Sequence, residues 1–276
     1  MRTDHRLAVR KTYKLFIGGA FPRSESGRTY PVGNTNVALA SRKDVRDAVV
    51  AARSAVPKWA GATAYNRGQI LYRAAEMLEG RQAEFTALGV PAGEVAAAVD
   101  RWVWYAGWSD KIAQVYGGAN PVAGPYFNLS APEPTGVVGV VAPADSPLLG
   151  LVSVIAPVIV AGNTVVVLAA EADPLPAVTL AEVLATSDLP GGVVNLLTGR
   201  VAETAPWLAS HADVNGLDLT GVTDPALAAS LEEAAAGTLK RVTRPPAIGV
   251  DWTADPGLTR ITAFLEIKTV WHPKGV

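Results

Sequence analysis

The chain has 276 residues, 49% of them hydrophobic and 18% charged, enough for one large domain or two small ones with a real core. Its 24 basic and 25 acidic residues leave a net charge of −1, and no lysine/arginine cluster points to a nucleic-acid partner. No cysteine is present, which excludes disulfides and thiolate catalysis within these residues, and His5, His211 and His272 lie too far apart in sequence for metal-ligand spacing.

The opening run, MRTDHRLAVRKTYKLF, is polar and basic with no apolar stretch of signal-peptide length, so a cytoplasmic location is expected. Residues 13–39 read as strand-like: KLFIGGAF ends at glycines, and RTYPVGN suggests a second short strand and a turn. Residues 41–116 read as helical. Ser41 is a candidate N-cap with Asp44 three residues on, and Val45, Ala48, Val49 and Ala52 recur at helical spacing. Residues 65–82 repeat the pattern with Ile70, Leu71, Ala74, Ala75 and Leu78 on one face. Residues 94–116 form an aromatic-rich helix whose Trp102, Trp104, Tyr105 and Trp108 suit core or dimer packing better than cofactor stacking.

Residues 135–242 alternate strands and helices. GVVGVVAP is a β-branched strand, residues 147–160 are apolar and helix-like, and NTVVVLA is a strand without alternation, hence buried on both faces. A helix over 174–186, the strand VVNLL, a helix over 201–210, the strand VNGLDL and a helix over 224–236 follow. Units of this length imply an α/β fold with a doubly wound parallel sheet, whose ligands bind beyond the carboxyl ends of the strands. The apolar runs 148–161 and 164–170 are interrupted at Gly162 and Asn163, a turn before a strand, and are too short to span a bilayer. Residues 243–257, rich in Pro, Gly and Asp, read as a linker. Beyond them Ile261, Ala263, Leu265 and Ile267 alternate with Thr262, Phe264, Glu266 and Lys268, a lone terminal strand that must pair with something.

These segments, in this order, resemble the NAD(P)-dependent aldehyde dehydrogenase superfamily. The resemblance is carried by LFIGGAF, by YAGWSDKI followed by GPYFNLSAPEPTGVVGVVAP, by IAPVIVAGNTVVV, by LPGGVVNLLTG, by LEEAAAGTLKRVT and by the closing FLEIKTVW. It implies three parts. Residues 1–243 hold N-terminal strands, helices and a Rossmann-like coenzyme-type domain, interrupted by a β-arm at about 120–135. Residues 244–257 are a linker in place of the catalytic domain, and 258–276 carry the C-terminal oligomerisation strand. After KRVT the family continues with its general-base glutamate and its cysteine nucleophile, whereas here Arg244, Pro245 and Pro246 follow. Without a thiolate no hemithioacetal forms, so the resemblance implies no catalytic residue and no metal site.

The resemblance also marks eroded coenzyme positions. Pro143 is followed by Ala144 and Asp145 where the family has Trp and an oxyanion-holding Asn. Asp145 would oppose an oxyanion and reads as a solvent-facing loop residue or a helix N-cap. Leu168 replaces the family's ribose-contacting lysine, while Glu171 survives as either a ribose ligand or a solvated carboxylate. Thr220 and Gly221 remain at a strand-end turn that could face a pyrophosphate, and Val222 replaces a hydroxyl donor. The vestigial cofactor set is therefore Pro143, Glu171, Thr220 and Gly221. Losing the lysine and the hydroxyl removes roughly 1–3 kcal/mol each, so no cofactor is expected, or NAD or NADP held weakly. Asp110, Lys111 and His211 read as surface residues. The implied role is a structural or regulatory subunit assembling with a full-length aldehyde dehydrogenase paralogue. The alternatives are a homo-oligomeric NAD(P)-binding sensor, or an aldehyde dehydrogenase family oxidoreductase with residual nucleotide binding.

Overall fold

The structure is a computed structural model that describes residues 11–275. His5 and most of the polar opening run lie outside the described residues.

Strands β1 (Thr12–Tyr13), β2 (Thr29–Val32) and β3 (Thr35–Ala38) form a small sheet in the order β1-β3-β2. The β2–β3 hairpin turns at Gly33, whose φ of 54° suits glycine. KLFIGGAF is not a regular strand. It doubles back at Gly18 and Gly19; Phe16 exchanges both backbone hydrogen bonds with Leu196 of the main sheet, and the Gly18 N–H donates to Asn195 Oδ1 at 2.9 Å.

Helix α1 (Arg42–Ala60) opens on the expected capping box of Ser41 and Asp44. The Asp44 carboxylate also accepts from Ser24 Oγ and the Glu25 N–H, tying the N-terminal segment to the helix. Helices α2 (Ala64–Glu79), α3 (Gln82–Ala87), α4 (Ala92–Trp108) and α5 (Ile112–Tyr116) follow. The single aromatic helix expected over 94–116 is thus two helices broken at 109–111. Trp102 and Tyr105 are fully buried, which settles them as core.

After β4 (Gly118–Asn120) and β5 (Tyr126–Pro134) the chain winds the main sheet: β6 (Val137–Val141), α6 (Leu149–Val160), β7 (Thr164–Leu168), α7 (Leu175–Leu184), β8 (Val194–Leu197), α8 (Val201–Ser210), β9 (Gly216–Asp218), α9 (Pro225–Ala236) and β10 (Arg241–Thr243). All five strands are parallel, in the order β10-β9-β6-β7-β8. Alternate residues feed two cores. Val138, Val140, Val165 and Val167 face a cluster with α4, α6 and α7, while Val137, Val141, Val166 and Leu168 face one with α1, α8 and α9. Burial on both faces explains the missing polar alternation. β10 was not expected as a strand.

The terminal segment departs from expectation in its first half. Residues Thr259–Thr262 are a helical turn, α10, with Ile261 fully buried, and the strand β11 runs Leu265–Pro273. β11 is not alone: it pairs antiparallel with β5 along its whole length, and β5 pairs with β4, giving a ribbon in the order β11-β5-β4. Asn163 pins its root, accepting from the Gly136 N–H at 2.8 Å and donating to the Phe264 carbonyl at 3.0 Å. Among the described residues no helix is long and apolar enough to cross a membrane.

A candidate ligand crevice at the switch point

The winding runs β6-β7-β8 one way and returns to β9-β10 on the other side of β6. The order reverses between β6 and β9, and ligands of doubly wound sheets bind in the crevice outside the carboxyl ends at that point. The two strand ends touch there. The Gly221 N–H donates to the Val141 carbonyl at 3.1 Å, and a Cβ on Gly221 would run into the Ala142 carbonyl, so only glycine fits.

A cleft of about 790 Å³ opens there. Pro143, Ala144, Asp145, Thr220, Gly221 and Val222 form one wall, α9 another, and the segment 244–252 a third. The structure thus brings Pro143, Thr220 and Gly221 together. Glu171 does not line this cleft. It is exposed, and its backbone carbonyl accepts from the Tyr30 hydroxyl at 3.3 Å. Burial, aided by the Glu171 charge, pushes that hydroxyl up to about 12.

Most donors a bound anion would need are already engaged. The Thr220 hydroxyl donates to Asp218 Oδ1, which also accepts the Thr220 N–H at 2.9 Å. Asp218 is 3% exposed, and burial holds its carboxyl above the usual range even though Arg260 Nη1 stands 3.4 Å from Oδ2. The N-terminus of α6 is covered by Glu94 of α4, whose Oε1 accepts from Ser146 Oγ (2.9 Å), Leu148 N (3.1 Å) and Leu149 N (3.0 Å). That of α9 is capped by its own Asp224, which accepts from Ala226 N at 2.9 Å. Both helix termini nearest the crevice therefore carry a carboxylate of the chain. Asp145 is no N-cap: it is exposed and accepts from Trp252 Nε1 at 3.2 Å. Leu168 and Val222 are 2% and 5% exposed in one apolar cluster with Leu197 and Leu219, and neither side chain offers a donor. Such a donor set fits a dinucleotide poorly.

Sequence reasoning missed Glu94, Asp218, Trp252 and Arg260. Two left a signal: an aspartate inside an otherwise apolar strand, and a tryptophan inside a Pro/Gly/Asp-rich run. Among the described residues no group of three or more His, Asp or Glu is placed to hold a metal.

Residues 31–244 match the family model described as the aldehyde dehydrogenase family. The chain is 35% identical over 251 residues to "Aldehyde dehydrogenase, cytosolic 1" of Elephantulus edwardii, covering 83% of this chain and 49% of that protein. It is 34% identical over 254 residues to "Retinal dehydrogenase 2" of Homo sapiens, covering 84% and 48%. It thus spans about half the length of these relatives. Among solved structures, an aldehyde dehydrogenase of Bacillus cereus in complex with NAD+ superposes with a TM-score of 0.78 at 28% identity, over 84% of this chain and 50% of that one. An NAD-dependent aldehyde dehydrogenase of Sinorhizobium meliloti gives 0.77 at 27% identity, over 87% and 51%. The matched segment stops at Arg244, where the strap over the crevice begins, and up to that point the chain belongs to the aldehyde dehydrogenase family.

Proposed function

We propose that this chain is a non-catalytic member of its family, a structural or regulatory subunit that joins a full-length aldehyde dehydrogenase in the cytoplasm. The observation that carries the reading is the ribbon. Eight of the nine residues of β11 are exposed, and among the described residues no strand pairs with its outer edge. Phe127, Leu129 and Val270 lie in cross-strand register on one face at 45%, 41% and 38% exposure. A nine-residue open edge beside apolar side chains is a template for strand addition by another chain. The proposed acceptor is the sheet that a complete family member has and these residues do not include. The absence of cysteine supports the non-catalytic part, since the family's hydride donor is a thiohemiacetal. The vestigial set Pro143, Glu171, Thr220 and Gly221 contributes at most weak NAD or NADP binding. A nucleotide-binding homodimer is the second reading, favoured only by the cleft beside Gly221.

The test is NADH or NADPH formation with a panel of aldehydes. The chain alone is expected to give none, and a full-length aldehyde dehydrogenase from the same genome is expected to change in activity or stability when it is added. Turnover by the isolated chain would overturn the reading.

A further inference from the structure

The cleft at the switch point has walls that suit hydrocarbon better than phosphate. Pro143 and Ala144 beyond β6, Val222 and Ala229 on the α9 side, and Pro246 and Ile248 on the strap after β10 all line it. The strap is anchored beyond that wall. Val250, Trp252 and Leu258 pack on the core cluster shared by α4 and α6, and Arg101 of α4 donates to the Trp252 carbonyl at 2.7 Å and the Ala254 carbonyl at 2.9 Å. Ile248, ahead of the anchor, is 85% exposed, a large apolar side chain left in water at the cleft wall. The charge at the cleft is mainly negative. Asp145 and Glu232 line it, and Asp224, which caps α9, lies between the lining residues Thr223 and Pro225. The cations close by are matched already: Arg244 to Glu232 at 2.9 Å, and Arg260, behind the Trp252 indole, to Asp218 at 3.4 Å. Asp145 has a neutral donor instead, Trp252 Nε1 at 3.2 Å, and among the described residues no second group bonds its carboxylate.

We propose that this cleft binds an apolar organic cation, a substituted ammonium ion whose charge meets Asp145 and whose hydrocarbon body lies along the apolar walls. Ligand clefts of this size are apolar with a few placed polar groups, and here the placed group is a carboxylate. The Trp252 ring N–H fixes one of its oxygens and leaves the other without a protein partner, so a cation adds a charge-assisted contact and displaces none. An anion would meet Asp145 and Glu232 as like charges, with Arg244 already engaged and the N-termini of α6 and α9 already covered by Glu94 and Asp224. A neutral apolar molecule would fill the walls and forgo the ion pair. The same features that make the cleft a poor dinucleotide site thus select the opposite charge. The inference is independent of the subunit proposal, because the ribbon strands contribute no residue to the cleft.

The experiment is calorimetric titration of the full chain with three probes of similar size: benzyltrimethylammonium, benzyl alcohol and benzenesulfonate. Wild type is compared with Asp145→Asn, which keeps an oxygen for Trp252 Nε1, and with Ala229→Trp, which puts a ring into the cleft from an exposed wall position. Circular dichroism confirms folding. Wild type is expected to bind the cation about tenfold or more tighter than the alcohol or the sulfonate. Asp145→Asn should erase that preference, and Ala229→Trp should weaken the cation by about tenfold. Amide hydrogen exchange over 220–229 and 244–252 should slow when the cation is added to wild type, which reads the site without a variant. Equal affinity for cation and sulfonate overturns the proposal, as does the absence of heat from the cation at millimolar concentration. A folded Asp145→Asn that keeps the preference also overturns it, and so does unchanged exchange at the cleft under saturating cation.

Discussion

Glu94 offers the sharpest energetic test, because one carboxylate oxygen serves three donors at the head of a helix with no exposed residue. All twelve residues of α6 are buried, so its first N–H groups have little access to water. Glu94→Ala strands the Leu148 and Leu149 N–H groups and the Ser146 hydroxyl, each worth about 1–3 kcal/mol when left unmatched. Glu94 is itself half-buried, so water can enter the space it vacates and the lower part of that range applies. The hydroxyl can also turn away, leaving a loss of about 3 kcal/mol. Glu94→Gln keeps an oxygen acceptor and loses only the charge at the helix terminus, roughly 1 kcal/mol. Urea unfolding at pH 7, with a slope of about 3 kcal/mol per molar for a chain of this size, turns these into midpoint shifts near ~1 M and ~0.3 M. The reasoning is refuted if Glu94→Ala lies within about 0.5 kcal/mol of wild type. If Glu94→Gln is as damaging as Glu94→Ala, charge rather than hydrogen bonding dominates.

Asp218 should give the fold a pH dependence of unusual sign for a carboxylate. Its folded pKa is raised by burial, so its contribution is fully present below its unfolded value near ~3.9 and is lost as pH rises through the folded value. Asp218→Asn keeps an oxygen for the Thr220 donors; urea midpoints across the acid-to-neutral range should show wild type losing ground to the variant as pH rises, and a constant gap would count against this. Leu168→Lys, which restores the residue type the family resemblance places there, puts an ammonium at a 2% exposed position. It should cost on the order of 3 kcal/mol without restoring NAD+ binding, because the ammonium enters the core; tighter NAD+ binding at unchanged stability would contradict the placement of position 168 in the core. Tyr105 is fully buried, its hydroxyl makes no well-formed hydrogen bond among the described residues, and burial pushes it up to about 12 against the opposing pull of Arg101. Tyr105→Phe should therefore be as stable as wild type or slightly more so, and a loss above ~1 kcal/mol in thermal unfolding would reveal a partner.

The winding of the main sheet was legible because each signal was local. Ser41 and Asp44 sit three apart, and β6 and β7 are runs of valine that only a doubly buried strand explains. Where local pattern misled, the cause is also physical. The alternation from Ile261 to Ile267 held for too few residues to separate a strand from a helical turn whose one apolar residue points inward. β10 is three residues with no apolar run of its own, and pairs only because β9 lies beside it. The site was half legible. Leu168 and Val222 read as lost donors only through the family resemblance; the sequence by itself shows two apolar residues. Glu94 acts on a residue 52 positions away and Trp252 on one 107 positions away, and no spacing rule encodes such pairs. The ribbon was visible as two strands, and only their register, Leu265 opposite Pro134 through Pro273 opposite Tyr126, shows that they pair with each other and leave one long edge open.

Light scattering on a sizing column tests the subunit claim most directly. The chain is run alone and after co-expression with a full-length aldehyde dehydrogenase of the same genome. Co-elution at a mass that includes both chains is expected, and so is loss of that complex when charges are placed on the ribbon face by Phe127→Lys and Val270→Lys. A chain that elutes by itself as a closed, monodisperse dimer, and that the full-length enzyme neither binds nor shifts, would contradict it.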